Sequence, residues 1–159
     1  EITINVFRPI SFIPMMLAIG DTENKYYFET ASPVEVWRAP TDKTIDFLKN
    51  EPEVLFDLVQ RFAAGLNGLT QRFEDLMFEN AYNRVVSLLS YLAKRFGEKE
   101  KDGIVINLPL THKDIAAWVN LTRETTSRQL EKLTEKGIIS YDHQVITLRD
   151  PKKLEKSLS

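Results

Sequence analysis

Glu124, Ser127, Arg128 and Glu131 fall on one side of a helix when successive residues are set about 100° apart, and Arg123 stands just ahead of them at the helix start. Thr126, Leu130 and Leu133 fall on the other side. An arginine guanidinium offers two parallel N–H donors that match the O6 and N7 acceptors of guanine. A glutamate can accept from cytosine N4. A serine is small enough for close approach and can hydrogen-bond. Each good bidentate pair of this kind discriminates between bases by about 1–3 kcal/mol. A plainer chemistry is also open to the same residues. Glu124 and Arg128 are four apart, and a surface ion pair at that spacing contributes about 0.2–0.5 kcal/mol and reads nothing. The elements around them decide between the two.

Those elements form an ordered set. Thr111 and Asp114 make a Thr-x-x-Asp capping pattern for a first helix. Ala116 and Ala117 keep that helix slim, so that a second can cross it closely. A three-residue turn ends at Thr122, which caps the second helix and leaves its first N–H groups aimed at phosphate or base edges. Gly137 stops it. Two apolar runs follow, Ile138–Ser140 and Val145–Leu148, joined by Tyr141–Gln144, and Ile104–Leu108 is a β run upstream. A helix-turn-helix followed by a hairpin is a winged helix, whose second helix enters a DNA major groove. On that reading Arg123, Glu124, Ser127 and Arg128 contact bases. Thr111, Lys113, Thr125, Gln129 and His143 contact phosphates, which set position rather than sequence.

A long helix precedes this module. Pro52 sits in its first turn, and Leu55, Val59, Phe62, Leu66, Leu69, Phe73 and Leu76 recur at alternating gaps of four and three. That is a heptad seam, expected to pair with a second helix. Gly65 and Gly68 each cost about 1 kcal/mol against alanine, and mark either a close backbone approach or a weak point. Phe78-Glu79-Asn80 breaks the pattern as a hinge. Asn80 then caps a helix toward Phe96 with an apolar stripe of Val85, Leu88, Leu89, Leu92 and Phe96. Gly97 ends it, and Glu98–Gly103 reads as a charged loop. The expected domains are 1–79 and 80–159.

The N-terminal part reads as a small β module. Ile2–Val6, Tyr26–Glu29 and Val34–Arg38 have strand character, Gly20–Asn24 is a turn, and Thr41 or Asp42 caps a short helix through Lys49. So few strands with two open edges rarely stand alone, so further strands are expected before Glu1.

Bulk properties exclude several classes. The chain has 159 residues, 43% of them hydrophobic, which suffices for a core. No apolar run reaches the roughly 18 residues needed to span a bilayer. Absence of cysteine removes disulfides, thiolate metal sites and cysteine nucleophiles, and fits a reducing cytoplasm. His112 and His143 are the only histidines, and with no organised carboxylates they make a weak case for a metal. No nucleophile–base pair or phosphate-cradling glycine loop is evident, so an enzyme is not expected. Charge is uneven: residues 1–102 hold 12 Lys/Arg against 16 Asp/Glu, and residues 103–159 hold 9 against 7. This is no nonspecific polycation, yet a compact positive face is compatible with specific binding.

The order of parts, and above all Leu-Thr-His-Lys-Asp-Ile-Ala-Ala-Trp-Val-Asn-Leu-Thr-Arg-Glu-Thr-Thr-Ser-Arg-Gln-Leu from Leu110 to Leu130, resembles the Crp/Fnr family of bacterial transcription regulators. The resemblance covers nearly the whole chain, strongly over 78–148 and weakly over 1–40. It implies an α+β fold: a partial, cyclic-nucleotide-binding-like β-roll, a long dimerisation helix and a C-terminal winged helix-turn-helix. It implies a homodimer whose two winged helices occupy successive major grooves of a palindrome. Members with Arg, Glu and Arg at the places of Arg123, Glu124 and Arg128 read half-sites like TGTGA. Members with Glu-x-x-Ser-Arg read sites like TTGAT. This chain satisfies both patterns, so the shared GA core is the expectation. The effector side departs from the family. Cyclic-nucleotide binders carry a Gly-Glu pair and an Arg-Ser/Thr pair, and the comparable stretches here, Ser11–Leu17 and Lys25–Phe28, have neither. Cyclic AMP is not expected; the effector is an unidentified small molecule or none, and no cofactor is expected. RNA polymerase is a further partner in this picture. The rival reading is a ligand-binding β domain with a winged helix used for protein contact.

Overall fold

The computed structural model describes residues 5–30, 32–77 and 80–157, without the side chains of Arg72, Asp75 and Leu76. The chain divides into two compact units, which among these residues are 6–70 and 71–157 with residue 5.

The first unit is helical. It holds α1 (Met15–Ile19), α2 (Thr41–Asn50) and most of α3 (Pro52–Leu76). No strand forms among its described residues, which corrects the readings at Tyr26–Glu29 and Val34–Arg38. Aromatic and β-branched residues favour a strand only against cross-strand neighbours, and these runs have no ladder partner. Of the Ile2–Val6 run, Ile2, Thr3 and Ile4 lie outside the described residues, and Asn5 and Val6 are not in a strand. The cap of α2 also differs from expectation. Pro40 holds that position, with no side-chain bond, and Thr41 is already helical.

Pro52 opens α3 as expected, since its missing N–H is one the first turn would leave unpaired. The helix runs 25 residues. The seam is open in the single chain: Leu55, Val59, Phe62, Leu66, Leu69 and Phe73 are all exposed, Leu66 and Phe73 by 65% and 67%. The Leu76 side chain lies outside the described set. A methyl added at Gly65 or Gly68 would meet nothing in this chain.

The second unit is built around α4 (Ala81–Phe96). Asn80 caps it, its Oδ1 accepting from the Asn83 N–H at 2.7 Å. Phe78 and Glu79, the other residues of the expected hinge, lie outside the described residues. Val85, Leu89 and Leu92 are fully buried and Leu88 nearly so, as the stripe predicts. Full burial of such a side chain stabilises by about 1.5–3 kcal/mol. Against α4 pack α5 (His112–Val119), α6 (Arg123–Glu135), α7 (Pro151–Lys156) and a small sheet.

The sheet is antiparallel, ordered β1-β2-β4-β3, with β1 Gly97–Glu100, β2 Gly103–Ile106, β3 Ile139–Asp142 and β4 Val145–Leu148. The segment read as a charged loop is therefore a hairpin, Gly97 pairing with Ile106 and Glu100 with Gly103. Asp102-Gly103 was its turn signal. Gly97 is needed for space: a Cβ there would collide with the Ala93 carbonyl oxygen.

The wing turn is tighter than expected. Asp142 pairs with Val145, leaving only His143 and Gln144 in the loop, at φ +46° and +68°. Positive φ at both central residues is what a type I′ turn demands, and it strains side chains that carry a Cβ. Gln144→Gly should therefore raise stability by about 0.5–1 kcal/mol, net of the added freedom of the unfolded chain. Denaturant unfolding checks this; an unchanged or lower midpoint would mean the turn is not strained. The last helix, α7, was not anticipated, although Asp150-Pro151 is a start signal: the Asp150 carboxylate accepts from the Lys153 N–H at 2.9 Å.

Candidate nucleic-acid interface

The interface is assembled on α5, α6 and the β3–β4 wing. The first of these begins in a complete capping box. The Thr111 N–H and hydroxyl donate to Asp114 Oδ2 at 2.8 and 2.6 Å, and the Asp114 N–H returns to Thr111 Oγ1. Ala116 and Trp118 are buried. Asn120 closes the helix in the left-handed region, at φ 51° and ψ 52°, a conformation asparagine tolerates. Leu121 and Thr122 complete the turn. Thr122 Oγ1 accepts from the Thr125 N–H at 3.1 Å and opens α6.

The two faces of α6 separate as the spacing predicts. Thr126, Leu130 and Leu133 are buried to 2% exposure or less. Arg123, Glu124 and Arg128 are exposed. Arg128 Nη2 donates to Glu124 Oε1 at 3.2 Å, with the two side chains 65% and 82% exposed. A pair so solvated contributes at most a few tenths of a kcal/mol, so it can exchange partners freely. Arg123 has no ion pair among the described residues and stands at the first helical position. A cation there is disfavoured by the helix macrodipole by roughly 0.3–1 kcal/mol, and an anionic surface docked on that end reverses the sign.

The remaining residues are more varied in their placement. Lys113 is exposed, while Thr125 and Gln129 are half-buried. His143 projects from the wing tip, 92% exposed, with Nδ1 2.7 Å from Asp142 Oδ1. The Thr111 hydroxyl is occupied by the cap. Ser127 is half-buried, its Oγ 2.7 Å from Nδ1 of His112. That imidazole lies against the Tyr141 ring with centroids 4.7 Å apart, and the Tyr141 hydroxyl donates to the Leu110 carbonyl at 2.8 Å. Burial pushes the Tyr141 phenol above its ordinary pKa, and the Asp114 carboxylate adds to the shift. Sequence reasoning missed this link between wing and helix. It weighed His112 only as a metal ligand, and no local pattern marks a contact fifteen residues away.

Residues 83–157 match the family model of the Crp-like helix-turn-helix domain. The global nitrogen regulator of Nostoc sp. is 32% identical over 161 aligned positions, which span all of this chain and 72% of that protein. The chain belongs to the Crp/Fnr family. Transcriptional regulator SdrP of Thermus thermophilus, at 30% identity over 98% of this chain and 72% of its own length, is a second such relative. Among solved structures, a CRP/FNR-family transcriptional regulator from Thermus thermophilus superposes with a TM-score of 0.59 at 31% identity, over 68% of this chain and 55% of that one. A CooA variant from Carboxydothermus hydrogenoformans superposes with a TM-score of 0.68 at 25% identity, over 74% and 55%. Membership makes the winged helix of this Crp/Fnr chain a DNA-binding domain and the protein a transcription regulator. The α+β class agrees with the sheet and helices described. No helix among the described residues is long and apolar enough to cross a membrane.

Proposed function

We propose that this Crp/Fnr regulator is a cytoplasmic homodimer that reads a palindrome with a GA-containing half-site. One observation carries the reading: α6 buries Thr126, Leu130 and Leu133, turns Glu124 and Arg128 to solvent on its opposite face, and leaves Arg123 exposed at its first position. Arg123 and Arg128 then take guanine edges, Glu124 takes a cytosine amino group, and Ser127 takes a neighbouring edge. Lys113, Thr125, Gln129, Thr111 and His143 lie along the phosphates. Pairing of α3 through Leu55, Val59, Phe62, Leu66, Leu69, Phe73 and Leu76 places two such helices about one turn of DNA apart, roughly 34 Å. The exposed seam and the open space at Gly65 and Gly68 support a second helix there.

Domains 1–79 and 80–159 move about Phe78, Glu79 and Asn80, so that a signal in the first shifts the populated spacing in the second. Cyclic AMP is not that signal, because its phosphate would lack an arginine partner in Ser11–Leu17 and Lys25–Phe28. RNA polymerase is a further partner of the DNA-bound dimer. Selection of bound sites from random duplex DNA tests the core of this reading. It should enrich inverted repeats with a GA core, unaffected by added cyclic AMP. Enrichment of no sequence would instead favour a winged helix used for protein contact.

A further inference from the structure

The imidazole of His112 is held between two partners. Its Nδ1 is 2.7 Å from Ser127 Oγ, and its face lies on Tyr141 of β3. Its other nitrogen, Nε2, is buried with no hydrogen-bond partner. This asymmetry decides the tautomer. If the proton sat on Nε2, a buried N–H donor would be orphaned, which native structures rarely tolerate. With the proton on Nδ1, only an acceptor lone pair is left unpaired, the lesser penalty. Nδ1–H then donates to Ser127 Oγ. The serine hydroxyl has given that lone pair to the imidazole, so its own proton is free to point outward from α6.

We propose that His112 is a positioning residue that makes Ser127 an outward hydrogen-bond donor, and so sets a preference for an acceptor edge at the base step Ser127 faces. In the major groove thymine O4 and guanine O6 or N7 fit that donor, whereas cytosine presents N4–H donors and does not. The inference rests on the proposed reading of α6 as the recognition helix. Tyr141 braces the ring, so the wing helps hold the rotamer of a residue on the helix. This assigns His112 a part in specificity without any contact to DNA.

The test is a panel of duplexes varied one base at a time through the half-site, measured by fluorescence anisotropy with the 159-residue chain. Ser127→Ala locates the position that the hydroxyl reads. His112→Phe keeps the ring on Tyr141 but removes the nitrogen, and His112→Asn restores a polar group near the place of Nδ1. Wild type should prefer thymine or guanine over cytosine at the located position by about three- to tenfold, the range of one neutral hydrogen bond. His112→Phe should flatten that preference to within about twofold, with other positions unchanged. His112→Asn should recover part of it, and the double variant with Ser127→Ala should be no flatter than either single one. A His112→Phe variant that keeps the preference while Ser127→Ala loses it would overturn the role of His112 alone. So would a wild-type preference for cytosine, or a uniform loss at every position. If Ser127→Ala changes no position, base reading by Ser127 itself fails, and His112 falls with it.

Discussion

Replacing Arg123 and Arg128 together by alanine is expected to collapse discrimination between the selected palindrome and a scrambled duplex to near unity. Each arginine, if bidentate to guanine, accounts for about 1–3 kcal/mol of discrimination, and a dimer uses each one twice. That sum is comparable with the whole margin, about 4–10 kcal/mol, between specific and nonspecific binding for proteins of this kind. Background binding through phosphate contacts should survive and still weaken with salt. The fold should not change, because both guanidinium groups are exposed and the single ion pair lost, Arg128 with Glu124, is solvated. The measurement is competitive binding at fixed salt, with circular dichroism as the folding control. A folded double variant that still prefers the palindrome by hundreds of times would sink the assignment of α6 as the reading helix.

The second large effect is expected at the seam. Phe62→Asp and Leu69→Asp stand seven residues apart on α3, so they occupy the same place in successive heptads. In the single chain both positions are exposed, by 37% and 45%, and a carboxylate there meets solvent. In a symmetric helix pair each would face its own copy, desolvated and with like charge, at a cost no neighbour offsets. The double variant should therefore sediment as a folded monomer. Its affinity for the palindrome should fall by about 10²–10⁴, the usual gain from tethering two sites, while affinity for an isolated half-site stays level. A variant that remains dimeric and binds the palindrome as before would show that α3 is not the pairing surface.

The same two regions show how far a one-dimensional pattern reaches. Helix periodicity along α6 and α4 told which residues would be buried, and Thr126, Leu133, Val85 and Leu89 are. Cap signals placed helix starts at Asn80, Thr111 and Thr122, each confirmed by a side-chain bond to the backbone. Both kinds of signal are local: they depend on neighbours within one turn, which the chain order supplies directly. Turn chemistry was read less completely. Asp102-Gly103 and Asp150-Pro151 carried their meaning in two residues, but each sat beside a charged run that resembled loop.

The N-terminal strand readings behaved otherwise, although Ile104–Leu108, Ile138–Ser140 and Val145–Leu148 each fall on a strand of the sheet. Tyr26–Glu29 and Val34–Arg38 have the composition of strands and none of the ladder, because pairing energy belongs to two segments and not to one. By itself, the order of amino acids determined the family, the caps of α4, α5 and α6, the winged helix and the face of α6 that carries Glu124 and Arg128. The meeting of His112, Ser127 and Tyr141 came from the crossing of α5 over α6 and the return of β3 beneath them. Contacts of that kind are set by how helices and sheet pack in three dimensions, and no spacing along the chain encodes a distance between elements.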